Sequence, residues 1–579
     1  MDFRPSVLII APNSFDFFTG TTAENQFHLL TRDGRAASLL RLDLMLDPAR
    51  VETRLRERGR ENPMAGYYLE SFLKQRNYAA RVVFDFDRDD LIEAGLQSDP
   101  MAVLLSTTFI TDRNLLFRSI ARLRGLIGDK PLIIGGPFIW KQKQELDHLR
   151  ARDDSRAYLE RMRSFDADPL ADNLFGTLPP PDMRGNIFIG HEFGEYTLLS
   201  VLETLARPRS DESDLLEIPN LILPAEDAWV MTEHAPEPVN LDQDFTRWDL
   251  VDEMPRVVPL RASVGCPYRC RFCDFIELHP LVMMRSPASI LAEIELAMAR
   301  DRTVFDFIDD NIFLSKQRIK HLTETLIQAG KGIHWGGFFR ADRVDEDNAR
   351  DLWRSGCRYG LCGIESGDDD MLRRMRKGGR VADQRRGLEL ALEHGIYTAL
   401  TFLVGFPGET AGSILRTAEF ASSLPGDGRA FAFYQAYPFY ILPNTSVDRP
   451  EFRSRYNLRG RFAAWSHDTM DAETAVHEAS RELFQNADLP YNYHGNDAPG
   501  WWSVDRRNRA FAARKKLTEV FLTGGSDRDV QFRFSELAGV FSEDRGGGPI
   551  PPWRHVLADR SAQPGRRLPV ERVGAFAPA

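Results

Sequence analysis

The sequence predicts an α/β protein made of two successive parallel-sheet domains and a mainly helical C-terminal region. Short aliphatic and β-branched runs alternate with helical stretches over residues 1–204, and the alternation returns over 256–449. A further feature is not explained by folding: three of the five cysteines fall between Cys266 and Cys273.

In the first domain the strand candidates are Ser6–Ala11, Ala80–Phe86, Ala102–Thr107, Pro131–Gly135 and Asn186–Gly190, with helices such as Tyr67–Gln75 and Asp112–Ile127 between them. Near-continuous apolar strands are those covered on both faces, and strand–helix–strand units close in one hand. The segment Asn13–Met64 is long for a simple connection and is expected to cap a ligand. Residues 205–255 carry repeated proline and acidic residues (ARPRSDESD, HAPEPVNLDQD) and one hairpin pattern around Asn220–Met231, so they read as a linker packed on its neighbours.

The second domain offers Val258–Ser263, Thr303–Asp309, Gly332–Phe339, Tyr359–Ile364, Tyr397–Val404 and Ala430–Ala436 as strands. Each but the last precedes a helical stretch, which predicts a partial (β/α)6 barrel with its active groups at the C-terminal strand ends. Residues 450–543 read as mainly helical (Asp471–Gln485, Arg506–Thr523) and 544–579 as a disordered tail.

Hydrophobic residues make up 43% and charged residues 27% of the 579, as in ordinary globular proteins. A net charge of −11 argues against a partner read through its phosphate backbone, so no nucleic acid is expected. No run approaches about 18 apolar residues, and the N-terminus MDFRPSVLIIAP lacks a small-residue cleavage site, so no membrane span or secretory signal is expected and a cytoplasmic location is. Five cysteines are too few for a disulfide framework.

Cys266, Cys270 and Cys273 stand at CxxxCxxC spacing in SVGCPYRCRFC. Three thiolates at this spacing can each hold one iron of a 4Fe–4S cubane and leave the fourth iron open to an outside ligand. The competing reading, a structural zinc site, wants four ligands, and the nearest further candidate is His279, six residues on.

The motif and those that follow it resemble the radical S-adenosylmethionine (SAM) superfamily. The loop follows a first strand and Phe272 precedes the last cysteine. FIDDNIF offers Asp309 and Asp310, FRADRV offers Arg340, CGIESGDDDMLRRMRKG offers Glu365 and Ser366, and TFLVGFPGET offers Gly405, Gly408 and Glu409. The resemblance implies that these residues surround SAM: acidic groups at its amine, Arg340 at its carboxylate, Glu365 and Ser366 at its ribose, and the glycine loop at its adenosine. ILPNTSV resembles the turn after the last strand, with Asn444 replacing a glycine; Asn tolerates the same positive φ. An aspartate pair at a strand end is more often a helix cap. The order and spacing of the whole set carry the reading. Cys357 and Cys362 suit buried packing better than a radical relay or a second cluster.

Together with a flavodoxin-like (Rossmann-type) domain ahead of it, this barrel resembles the cobalamin-dependent radical SAM group. The resemblance implies cobalamin contacts at Ser106, Thr107 and Thr108, at Gly135, Gly136 and Pro137, and at Glu192, Gly194 and Glu195. The loop after the first strand, APNSFDFFTGT, has no histidine to ligate cobalt from below. The alternative is a βαβ domain kept as a scaffold.

With a 4Fe–4S cluster, SAM and cobalamin as cofactors, the implied activity is methylation of an unactivated carbon or phosphorus centre. The substrate would be a small metabolite or a peptide, and the electron donor a flavodoxin or ferredoxin. Alternatives are cyclisation, rearrangement or oxidation without methyl transfer, or a non-enzymatic sensor. Methylthiolation is weaker, because no cysteine precedes Cys266. Substrate candidates are Tyr434 and Tyr437 near the sixth strand end (with Tyr440), His467 in WSHDTM, and the aromatic segments LPYNYHG and GWW.

Overall fold

The computed structural model describes residues 5–13, 31–32, 35–36, 62–208, 212–279, 281–425, 430, 432–484, 486–489 and 504–543. The loop after the first strand from residue 14 onward, the aromatic residues 490–495 and 500–502 and the tail 544–579 lie outside them. The chain forms two compact units, one of Met1–Phe17, Arg60–Gly265 and Phe275–Thr303, the other of Phe18–Gly59, Cys266–Asp274 and Val304–Ala579.

The first unit is built on a seven-stranded sheet of β1 (Ser6–Ile10), β2 (Ala79–Val83), β3 (Ala102–Ser106), β4 (Leu132–Gly135), β5 (Asn186–Ile189), β6 (Leu221–Pro224) and β7 (Trp229–Met231). The order is β2-β1-β3-β4-β5-β6-β7, and the first five are parallel neighbours. The order 2-1-3-4-5 is a doubly wound one, which places its crevice at the C-terminal strand ends. Val7 and Ile9 join one apolar core and Leu8 and Ile10 the other, because successive side chains leave a strand on opposite faces. That two-sided burial is why the strands read as unbroken apolar runs.

The expected hairpin is β6–β7, which extends the sheet antiparallel. Further along the linker, Trp248 is fully buried against Tyr67, with ring centroids 5.4 Å apart. Its indole Nε1–H donates to Glu293 Oε1 at 3.0 Å, and Glu293 also pairs with the buried Arg285. Arg285 in turn donates to the Arg261 carbonyl at 2.8 Å. A buried guanidinium stripped of its carboxylate is strongly unfavourable, so Glu293→Ala should cost about 3–5 kcal/mol locally. It should appear as lost hydrogen-exchange protection across the helix Pro287–Met298; unchanged protection would contradict this account of how the linker is held.

The second unit carries β9 (Val304–Phe307), β10 (His334–Phe339), β11 (Cys357–Glu365), β12 (Tyr397–Val404) and β13 (Ala432–Pro438) as successive parallel neighbours. The strand expected before them, β8 (Val258–Leu260), also forms and groups with the first unit. On β11 the residues Gly360, Cys362 and Ile364 are buried, while Tyr359, Leu361, Gly363 and Glu365 line the other, more open face. Tyr359, Leu361 and Tyr397 gather there around Ala399 and Phe433. The covered face takes the helix Ala411–Ser422, whose Phe420 meets Phe402 edge-on at 6.4 Å.

The C-terminal region is not mainly helical at its start. Between the helices Pro450–Tyr456 and Ala472–Glu478 lies a three-stranded antiparallel sheet of β14 (Arg459–Arg461), β15 (Ala464–His467) and β16 (Met470–Asp471). Trp465 and His467 turn inward and their neighbours outward, a period-2 pattern too short to register in the sequence. Gly460 and Phe462, at φ +81 and +56, make the bends. The helices Val504–Leu522 and Asp527–Ser542 follow. No helix among the described residues is long and apolar enough to cross a membrane.

Candidate active site

The loop Cys266–Asp274 is pinned along its backbone within the second unit. Arg271 N–H donates to the Met375 carbonyl at 2.9 Å, and the Arg271 carbonyl accepts from Val447 N–H at 3.3 Å. The Tyr268 hydroxyl accepts from Arg343 Nε at 2.6 Å, and the Arg340 guanidinium lies 4.0 Å over the Tyr268 ring. None of the three cysteines of the loop is in a disulfide, and Cys270 is buried while the other two are partly exposed.

A pair of buried cations stands beside them. Lys377 Nζ donates to Glu365 Oε1 at 2.7 Å. Arg340 is bonded to Asp342 at 2.8 Å and donates to the Lys377 carbonyl at 2.7 Å and to the Gly378 carbonyl. Burial raises the Cys270 thiol pKa, and the charges of Lys377 and Arg340 act against that rise. Cys266 is likewise raised by burial, with Asp310 adding to the rise and both cations opposing it. Burial works against the Lys377 charge, but the Glu365 carboxylate more than offsets it and holds the ammonium pKa up. This donor set fits an anionic cluster: three thiols with positive charge already in place to offset thiolate and cubane charge. Among the described residues no three Cys, His, Asp or Glu side chains converge on one ion-sized point. Lys377 was not singled out from the sequence; its signal was a single lysine before Gly378-Gly379 in a motif otherwise rich in arginine.

The other residues expected around SAM fall in the same unit. Asp309 is buried and Asp310 half-buried at the end of β9. Phe272 meets Phe406 edge-on at 6.5 Å. Glu365 adopts φ +69 and faces Lys377. The Ser366 hydroxyl pairs with Thr417 Oγ1 at 3.3 Å and accepts from Asp368 N–H at 3.2 Å. Gly405 and Gly408 take φ +92 and +91, and a Cβ on Gly405 would lie 2.5 Å from Trp465. Glu409 turns inward and accepts the Gly405 N–H, so in this structure its carboxylate fixes the turn. Asn444 has φ +66, as its place in the turn requires.

Of the residues expected to meet substrate, Tyr437 lies on the open face and donates its hydroxyl to Gln435 Oε1 at 2.7 Å. Tyr434 lies on the opposite, helix-covered face, fully buried 5.9 Å from Phe402, because one step along a strand reverses the side chain. His467 is buried; its Nδ1 accepts from Thr469 N–H at 3.4 Å, so the neutral ring donates from Nε2 to the Gly405 carbonyl at 3.0 Å. Cys357 and Cys362 are buried on the helix-covered face with their sulfurs 3.9 and 3.8 Å from the Tyr359 and Gly360 carbonyls, and burial pushes the Cys357 thiol up to about 12.

In the first unit the residues expected at cobalamin gather at the ends of β3, β4 and β5. The Ser106 and Thr108 hydroxyls are 3.0 Å apart, and Thr107 Oγ1 donates to the Gly135 carbonyl at 3.0 Å. Gly136 takes φ +117, and a Cβ there would meet Thr107 Oγ1 at 2.9 Å, so the backbone is left bare just before Pro137 opens a helix. Gly194 has φ +86. Glu195 follows it, buried, with Oε2 lacking any hydrogen-bond partner and burial pushing its carboxyl up to about 7. An orphaned buried oxygen at a strand-end crevice fits a site shaped for a polar ligand such as an amide-bearing corrin. Glu192 pairs with His279 at 3.6 Å. Unforeseen is a set of nearly parallel rings, Trp140, His191 and His234, with centroids 5.2–5.9 Å apart.

Residues 260–421 match the Radical SAM superfamily, so the chain carries a radical SAM domain, whose cofactors are a 4Fe–4S cluster and SAM. The anaerobic magnesium-protoporphyrin IX monomethyl ester cyclase of Rubrivivax gelatinosus is 25% identical over 45% of this chain and 48% of its own length. An uncharacterized methyltransferase of Pyrococcus horikoshii is 27% identical over 30% of this chain and 39% of its own. The chain thus spans about half or less of the curated relatives it matches. In fold it resembles the cobalamin-dependent S-adenosylmethionine radical enzyme OxsB solved with aqua-cobalamin bound, with a TM-score of 0.54 at 14% identity over 96% of this chain and 78% of that one.

Burial pushes the Glu409 carboxyl up to about 8, while accepting from the Gly405 and Phe406 N–H groups pulls the other way. A carboxyl raised above its unfolded value contributes fully below about pH 4.3, and its contribution is lost as pH rises through the folded value. Glu409→Gln should flatten the fall in melting temperature between about pH 4.3 and 8. Parallel profiles for the two proteins would contradict a buried, protonated Glu409.

Proposed function

We propose that the protein is a cobalamin-dependent radical SAM methyltransferase acting on an unactivated carbon, or a phosphorus, of a small metabolite or peptide. The observation that carries this reading is the three-thiol loop beside the Arg340–Lys377 cation pair, in a chain that also holds a doubly wound domain with a glycine-lined strand-end cradle. When bound, the cluster and SAM would supply a 5′-deoxyadenosyl radical, and cobalamin a transferable methyl group.

The chain's own residues bind and orient. Cys266, Cys270 and Cys273 would hold the cluster, and Lys377 and Arg340 offset its charge. The turn at Gly405 and Gly408, bent through positive φ and packed by Trp465, would present its backbone to the adenosine, with Phe272 and Asp310 beside the loop. Thr107, Gly135 and Gly136 shape the corrin cradle, and Glu195 offers it a polar oxygen. Tyr437, with Gln435, presents a neutral hydrogen-bonding pair on the open face of the sheet to a substrate. Similarity to a cyclase favours a second reading, ring closure or rearrangement without methyl transfer.

Anaerobically reconstituted protein should contain about four irons per chain, and Cys270→Ala should lose most of them. Gly136→Val should lose corrin but keep iron. With SAM, reductant, cobalamin and the true substrate, the methyltransferase yields S-adenosylhomocysteine together with 5′-deoxyadenosine. Production of 5′-deoxyadenosine alone would establish the second reading. A chain that binds no corrin would remove methyl transfer from cobalamin.

A further inference from the structure

Arginines are numerous around the cysteine loop, and several lack an acidic partner. Arg373 is paired with Asp370 and Arg453 with Asp448. Arg269, Arg271, Arg374, Arg376 and Arg455, by contrast, make no ion pair to any carboxylate among the described residues. Four of them are exposed, and Arg271 is half-buried.

Arg271, Arg374, Arg376 and Arg455 form one patch. The rings of Phe452 and Tyr456, centroids 4.6 Å apart, sit at its centre. The Arg271 guanidinium lies 5.5 Å from the Phe452 ring, and those of Arg374 and Arg455 lie 6.0 and 5.4 Å from the Tyr456 ring. Arg376 is brought alongside because the Arg271 N–H is bonded to the carbonyl of Met375, at 2.9 Å. The like charges of Arg376 and Arg455 depress the pKa of Arg271, secondary to its burial. Stacking on aromatic faces holds the guanidinium planes without neutralising them.

Four like charges held together on a chain of net charge −11 repel one another and have no carboxylate ion pair among the described residues. Such a patch costs stability unless something outside uses it. Its position decides the partner. Arg269 and Arg271 are interleaved with Cys270 and Cys273, and Arg271 is anchored by backbone bonds on both sides. This face therefore adjoins the loop that would hold the cluster.

We infer that the patch formed by Arg271, Arg374, Arg376 and Arg455 is the docking surface for an acidic one-electron carrier protein. The inference rests on the cluster reading above. Opposite charge would steer the encounter and set its orientation. In the step itself one electron leaves the reduced carrier and reduces the cluster by one; no bond forms or breaks, and no proton crosses the interface.

The test uses the full-length, cluster-loaded protein and the double variant Arg374→Glu/Arg455→Glu, at two exposed positions of the patch. Iron content and the cluster absorbance are measured first; their absence from the wild type would sink the cluster reading itself. Reduction is then followed by stopped flow with flavodoxin hydroquinone and, separately, with dithionite. With flavodoxin, the rate constant should fall at least about tenfold in the variant and lose most of its dependence on ionic strength. With dithionite it should not change. An unaltered flavodoxin rate in a loaded variant overturns the inference, and so does an equal loss with dithionite.

Discussion

The arrangement at the cysteine loop depends on a buried ammonium. Lys377 is placed where water does not reach it, and a lone charge there would cost several kcal/mol. Glu365 meets it at 2.7 Å from a left-handed backbone position, φ +69, that no ordinary strand residue would take. On the other side the chain reverses through Arg376, Gly378 and Gly379, all at positive φ, which turns Lys377 back toward the loop. Arg340 fastens this reversal by taking the Lys377 and Gly378 carbonyls. The ends of β10 and β11 and the turn after the helix Asp369–Met375 are thus tied at one point. Each of the two cations faces one carboxylate, Lys377 that of Glu365 and Arg340 that of Asp342. Three thiolates on iron would supply the negative charge that these cations are positioned to meet.

Much of this was legible in the sequence because of how a βα repeat works. A parallel strand covered on both faces reads as an apolar run, and each strand end delivers its next few residues to the same edge of the sheet. Cys266 through Glu409 therefore appear in the sequence in the order in which they meet in space. What could not be read depends on geometry that a pattern does not encode. Lys377 comes twelve positions after Glu365, and their contact rests on the length of one helix and a left-handed residue behind it. Tyr434 and Tyr437 differ by an odd number of steps on β13, so one faces the helices and the other the open side; the motif gives no parity. The sheet Arg459–Asp471 was missed because its strands are shorter than any reliable alternation.

The same sheet changes how the C-terminal region should be understood. Its contribution reaches the glycine loop through backbone. The Gly405 N–H is taken by Glu409 and the Gly405 carbonyl by His467, while Trp465 closes over the space where a Cβ would stand. Trp465 is itself fixed by donating its indole N–H to the Phe439 carbonyl at 2.7 Å, and its ring lies parallel to that of His467. Both atoms of a peptide that must bend through φ +92 are therefore held, one by a neighbour in the loop and one from a different sheet. A loop clamped in this way presents its backbone in one conformation, which is what close approach to a flat ligand demands. It also means that residues outside the glycine loop set its geometry. Substitution around Trp465 and His467 would then alter the glycine loop as surely as substitution within it, since His467 holds the Gly405 carbonyl.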